Sequence, residues 1–386
     1  MKKIGVLLLA VIMVFSLVAC QTETPSTSES TAPSDDSSTV ADDTTAEVST
    51  DVSLDLSGKT LGFINAGPDD YYAAFGNALK ALAEVYGIEV IELNSNYSSE
   101  QELANCQDLI MKGVDAIACI TAGAAGSAAT IQLANEAEVP IFFIVGQPET
   151  AEGSEYQGWV SDSYAMIGYA VGQWVAENYP DAKDKIVMIP GYFGQGTAEA
   201  EIVGFQLALD EAGLGEAYIT ASSEWQATKT LPIVQDLVAS GRDFDVIFAC
   251  NEETARGVIQ VFEEQNVTDK ALVSINGKEE GWQWMIDGTM MATGMDCPSL
   301  DADLSLQQII CYWSGEDYVK DLQIKPTTVL TKDNLEKAIP YVIEDYLTAR
   351  EAGTFEYELS YYEEQYEANK DLFAEFDAKV AEYMAE

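Results

Sequence analysis

From residue 60 to residue 313 the chain keeps alternating between short apolar runs and longer stretches of helical periodicity. Runs at 61–64, 88–93, 116–120, 139–145, 185–189, 217–221, 246–250 and 272–275 read as strands. Between and after them, apolar residues return at three- and four-residue steps. These stretches predict helices at 99–112, 125–136, 165–177, 197–212, 228–240, 252–265, 279–286 and 304–313. A strand followed by a helix of this size leads back to a parallel neighbour, so the pattern specifies parallel sheets covered on both faces. Trp159 and Val160 read as a short connector, and 290–293 as an edge strand. Two consecutive series of similar length predict two lobes of one architecture with a cleft between them.

The first unit shows how such a cleft is furnished. Leu61 to Ile64 form the strand, Gly67 and Pro68 break it, and Tyr72, Phe75, Leu79 and Leu82 mark one face of the following helix. In an open parallel sheet, the turn beyond a strand's carboxyl end is where ligands bind. This turn carries Asp69, Asp70, Tyr71 and Tyr72. Carboxylates hold hydroxyl or cationic groups, and aromatic faces stack on a sugar or a base. The same residues also fit a helix N-cap followed by two core tyrosines, and the sequence leaves both readings open.

Composition removes whole classes of function. A length of 386 residues suits about two domains. The net charge is −46, from 19 basic and 65 acidic residues, and repels phosphate backbones, so no nucleic-acid partner is expected. The chain has no histidine, which excludes Ser-His-Asp and Cys-His catalysis and the commonest transition-metal ligand. No cofactor or metal is expected. Six cysteines show no C-x-x-C spacing. Cys106, Cys119, Cys250, Cys297 and Cys311 lie in apolar surroundings and read as buried small hydrophobes, with one isolated bridge left open. The glycine-rich loop 191–196 lacks the Lys-Ser/Thr of a P-loop and reads as backbone room beside the cleft.

The two ends differ from the middle. Lys2 and Lys3 precede an apolar run at 4–18, in the order of a secretory signal. The run is short for a membrane span. It ends in Leu17-Val-Ala-Cys20, which resembles the bacterial lipobox and implies cleavage before Cys20 and lipid attachment to its thiol. Residues 21–57, rich in Ser, Thr, Asp and Glu, cannot bury enough apolar surface to order themselves and are expected to be a tether. From residue 331 the chain reads as helical, acidic and tyrosine-rich, with apolar steps that predict a docked extension.

Several segments, in order, resemble the type I periplasmic binding proteins of the ribose- and galactose-binding branch. They are the opening strand-loop-helix, Glu102-Leu-Ala-Asn-Cys-Gln-Asp-Leu-Ile110, Glu138-Val-Pro-Ile141, Val160-Ser-Asp162, Gly204-Phe205, Cys250-Asn-Glu-Glu-Thr-Ala255 and Ser274-Ile-Asn-Gly277. The resemblance spans about residues 58–330. It implies an α/β fold of two Rossmann-like lobes with parallel sheets joined by a hinge, plus the C-terminal helical extension. The expected division is a signal at 1–20, a linker at 21–57, a first lobe at 58–162 and 297–326, a second lobe at 163–296 and 327–335, and the extension at 336–386.

The resemblance also implies a pocket built from strand-end loops of both lobes. Asp69, Tyr71 and Tyr72 match its opening loop, Trp225 its aromatic wall, Asn251 and Asn276 its polar loops, and Asp296 its crossover. Asp70, Gln147 and Glu199 join these as candidates. Two positions depart. The sugar branch often has Asp-Arg after the Val-Pro strand, where this chain has Val145-Gly146-Gln147, and often has an arginine before the Gly-Phe pair, which is missing here. The only arginines are Arg242, Arg256 and Arg350. Acids with aromatics suit a polyhydroxyl compound or a cation. The implied function is a non-enzymatic, lipid-anchored receptor of an ABC importer. It captures a small polar solute, a sugar or polyol, by hinge closure and delivers it to a permease. The receptor is expected to be a monomer that touches the membrane through Cys20. Alternatives are a nucleoside or cationic amine on the same fold, or a carboxylate-dependent glycosidase pairing Asp69 with Asp296 or Glu199.

Overall fold

The computed structural model describes residues 56–326 and 328–385. The expected export signal, Cys20 and all but the last two residues of the expected tether lie outside them. Among the described residues no helix is long and apolar enough to cross a membrane.

Two six-stranded sheets form the body. The first contains β1 (Thr60–Asn65), β2 (Glu89–Asn94), β3 (Ala116–Cys119), β4 (Ile141–Ile144), β5 (Gly158–Asp162) and β11 (Asp321–Ile324). Their order is β11-β5-β4-β3-β1-β2, all parallel. The second contains β6 (Ile186–Ile189), β7 (Tyr218–Ile219), β8 (Val246–Ala249), β9 (Ala271–Asn276), β10 (Ala292–Met295) and β12 (Val329–Leu330). Its order is β12-β10-β9-β8-β6-β7, with only β12 antiparallel. Interior strands such as Ile-Phe-Phe-Ile of β4 and Val-Ile-Phe-Ala of β8 are apolar throughout because helices cover both faces.

Strand order reverses beside β1 in one sheet and beside β6 in the other. Their loops therefore open onto the crevice at the switch point. The chain passes between sheets three times: from β5 into α4 (Tyr164–Asn178), from β10 into α9 (Pro298–Ser314), and from β11 to β12. α4 lies against α5 (Thr197–Ala212) so closely that a Cβ on Gly204 would sit 1.8 Å from the Ala165 carbonyl oxygen.

The structure corrects several expectations. Trp159 and Val160 are not a connector but the middle of β5, an interior strand between β4 and β11. Gly158 and the polar Ser161 and Asp162 masked the apolar run, and all five residues of the strand are buried. The run near 290 is not an edge: β10 is covered by β12. The helix expected at 304–313 begins at Pro298, and its first turns bury Asp301 and Asp303, which periodicity counts as surface residues.

The tail is not helical throughout. After β12 come a 3-10 turn (Leu335–Lys337), α10 (Ile343–Glu351) and the long α11 (Leu359–Ala385). Phe373 and Phe376 of α11 pack against Ala165 and Met166 of α4. On the other lobe Gln323 donates to Asp377 at 3.1 Å, and the Val319 backbone N–H donates to Glu363 at 2.6 Å. The extension thus touches both lobes. Cys106, Cys119, Cys250 and Cys297 are buried free thiols, and Cys311 is a partly buried one.

Candidate functional site

The first wall grows from the turn between β1 and α1 (Asp70–Val85). Asp69 is the helix N-cap: its carboxylate accepts from the backbone N–H of Tyr71 at 3.0 Å and of Tyr72 at 3.2 Å. The Tyr97 hydroxyl donates to its other oxygen. The Asn65 amide donates to the Tyr72 carbonyl at 2.8 Å and to Glu92 at 2.7 Å. The same turn caps α1 and places Tyr71 and Tyr72 on the cavity wall. Tyr71 packs edge-on against Tyr72 and Phe75. Its hydroxyl lies 2.6 Å from that of Tyr164, and each is 3.2 Å from Asp296 Oδ2.

The second wall comes from the other sheet. The loop after β6 contributes Gln195, and α5 contributes Thr197 at its start and Glu201 one turn later. Trp225 follows β7, and its ring fills the space over Gly191, where a Cβ would lie 2.1 Å from it. That contact gives the glycine-rich loop its physical reason. Asn251 caps α7 (Glu252–Gln265), with Oδ1 accepting from the Thr254 N–H at 2.8 Å. Its NH2 group stays available to the cleft. Asn276 ends β9, Lys278 follows it, and Asp296 follows β10.

Together these groups line a narrow cavity, partly open at its mouth. It lies where the strand ends of both sheets face each other. Three lining residues hold left-handed backbone: Val145 (φ 67°), Trp225 (φ 61°) and Asn276 (φ 111°). For a β-branched valine this conformation is costly, and such strain concentrates at functional sites.

Of the candidates, Asp69, Tyr71, Tyr72, Trp225, Asn251, Asn276 and Asp296 line this cavity. Asp70 is exposed and lies outside it. Glu199 is buried but turns back to its own loop, accepting from the Gly194 N–H at 2.8 Å, and does not line the cavity. Gln147 is exposed and lies on an adjoining chamber with Asp162, Gln323 and Asp377. Sequence reasoning missed Val145, Tyr164, Gln195, Thr197, Glu201, Glu253 and Lys278. Most sit one to three residues beyond a strand or at a helix start, so weighing every such position equally would have found them.

The electrostatics are unusual for their lack of cations. Burial pushes Asp296 up to about 7, although the Tyr71 and Tyr164 hydroxyls favour its ionised form. Burial, then the charges of Asp296 and Glu199, hold Glu201 well above the carboxylate range. Asp162 and Asp301 behind them are raised by burial and by the neighbouring carboxylates. Burial pushes Glu252 up to about 8, opposed by bonds from Thr293 and the Gly277 N–H. The Lys278 ammonium lies 3.8 Å from Glu253 and over the Tyr341 ring. Among the described residues no group of three or more Cys, Asp or Glu could hold a metal ion. The site can stack on a guest, donate to it from amides and accept from it through carboxylates. For glycoside hydrolysis, Glu199 is off the cavity and Asp69 is committed to its cap.

Residues 61–317 match the family model described as periplasmic binding protein domain. A ribose import binding protein from Salmonella typhimurium is 22% identical over 228 residues, covering 59% of this chain and 75% of the relative. The galactofuranose-binding protein of Escherichia coli is 24% identical over 288 residues, covering 72% and 87%. Among solved structures, the periplasmic binding protein of the arabinose ABC transporter from Shewanella sp. ANA-3, bound to α- and β-L-arabinofuranose, superposes with a TM-score of 0.68. It is 20% identical and the match covers 76% of this chain and 96% of that one. At that identity the likeness shows the fold.

Proposed function

The chain belongs to the periplasmic binding protein family, and from that premise we propose that it is the extracytoplasmic solute receptor of an ABC importer, binding a sugar or sugar-like polyol between its lobes. One observation carries the reading: the cavity is walled by strand-end loops of both sheets, with Tyr71 of one reaching Tyr164 and Asp296 on the other. The relatives named for ribose and galactofuranose support the ligand class.

Capture works by hinge closure. Groups on opposite walls touch one guest only when the lobes are together, so the ligand binds the closed form better and draws the population to it. The three crossings, at 162–164, 296–298 and 324–329, are the hinge, dividing a first lobe of 58–162 and 297–326 from a second of 163–296 and 327–335. Trp225, Tyr71 and Tyr72 stack on the ligand, and Asn251 and Asn276 bond its hydroxyls. A lipid on Cys20 and the 21–57 tether keep the monomeric receptor beside its permease.

A thermal-shift panel of pentoses, hexoses and inositols should find a ligand that raises Tm, because it binds only the native state. Calorimetry should then show that Trp225→Ala weakens that ligand by about tenfold or more, the scale of one lost aromatic contact. Unchanged affinity would remove Trp225 from the site.

A further inference from the structure

Two side chains in the cleft are left unfinished by the protein itself. Glu201 and Asp296 both line the cavity, at 1% and 3% exposure. Glu201 Oε2 and Asp296 Oδ1 have no hydrogen-bond partner. A buried carboxylate with an orphaned oxygen is costly unless something brings it a donor and a charge. The protein brings neither. Arg242 lies over Tyr218, Arg256 is paired with Glu253 and Glu280, and Arg350 is paired with Asp303. Lys278, the one cation on the cavity wall among the described residues, faces Glu253.

We infer that the cleft takes a ligand whose polyhydroxyl frame carries a protonated amine, an amino sugar or aminocyclitol, with the ammonium seated against Glu201 and Asp296. The inference rests on the reading of the cleft as the ligand site. An ammonium supplies three donors and one positive charge, where a hydroxyl supplies one donor and none. The aromatic walls add cation–π attraction. A metal ion would also supply charge, but the described residues offer no cluster to hold one.

The charge of Asp296 acts on Glu201, and each is surrounded by acids or hydroxyls. Asp296 faces Tyr71 and Tyr164, with Asp162 and Asp301 behind; Glu201 faces Asp296 and Glu199. In the empty cleft these surroundings favour protonated acids. An arriving ammonium favours the carboxylates, so binding an amine releases protons, and its affinity rises with pH until the ammonium itself titrates. A neutral sugar has no such linkage.

Calorimetry on the full chain with matched sets tests this: D-glucosamine, D-glucose and N-acetyl-D-glucosamine, the same three forms of galactose, and scyllo-inosamine with scyllo-inositol. In the best-binding set the amine should exceed its hydroxyl twin by about tenfold near pH 7, the scale of a charge-assisted bond. That ratio should shrink near pH 5.5, and buffers of different ionisation enthalpy should report proton release. Glu201→Gln should bring the ratio close to one, and Asp296→Asn is the second variant should the first not fold. A neutral twin that binds as well as the amine, with a ratio unmoved by either variant, overturns the inference and leaves the cleft reading standing. Failure of every member of every set to bind takes down both.

Discussion

The two walls of the cleft are built from the same strand-loop-helix unit and use their polar groups in opposite ways. On the first lobe most polar atoms of the opening turn are engaged by the protein, although Asn65 Oδ1 has no partner. Asp69 holds two backbone N–H groups and the Tyr97 hydroxyl, and Asn65 bonds Tyr72 and Glu92. Glu102, buried under the same sheet end, accepts from Thr121 and Thr130 at 2.9 Å and from the Ala122 N–H at 2.7 Å. On the second lobe and at the crossover, Glu201, Glu252 and Asp296 each keep an oxygen with no partner. A satisfied wall is rigid and offers shape, here tyrosine faces. An unsatisfied wall carries an electrostatic cost that protonation or a positively charged group can relieve.

Three substitutions test this contrast, in falling order of effect. Asp296→Asn should stabilise the empty protein near pH 8 by about 2 kcal/mol, because it removes a buried group that must ionise there. Asp296 has its pKa raised from the ordinary 3.8 to about 7. The folded state therefore binds more protons than the unfolded state between those values. The wild-type protein loses this stability as pH rises through that window, and the loss is complete above about 7. Urea unfolding at pH 5 and pH 8 should show a clearly larger gain at pH 8 than at pH 5; an equal change at both would refute the buried-charge account.

Asp69→Ala should cost about 1 kcal/mol, the value of a lost N-cap. It should also loosen Tyr71 and Tyr72 and weaken ligand binding a few-fold. A variant that unfolds at the wild-type urea midpoint would show that the cap does not organise the first wall. Asp70→Ala, one residue along and exposed, should move stability by less than about 0.5 kcal/mol and leave affinity as it was. A measurable loss of binding there would extend the cleft beyond its present boundary.

What could be read in advance follows the range over which each signal acts. The repeating βα pattern is local, and β4, β8 and β9 are apolar enough to stand out from their neighbours. β5 and β11 escaped because each mixes polar with apolar residues, and only their place inside or against the sheet explains their burial. Asp69 stood out by its position in the turn after β1, whereas Trp225, Asn251 and Asn276 were named through the family resemblance. Glu199 and Glu201 sit two residues apart on one helix start, and a sequence cannot say which of them turns to the loop and which to the cleft. The hundred-degree step per residue decides that, once α5 is docked against α4.

The order of residues alone settled the doubly covered parallel sheets, the acidic surface and the absence of histidine chemistry, since periodicity and composition need no partner in space. Folding in three dimensions decided which carboxylates are buried together and which are spent on caps. A charge gains or loses its value through neighbours that lie over a hundred residues away in the chain, as Tyr71 does from Asp296.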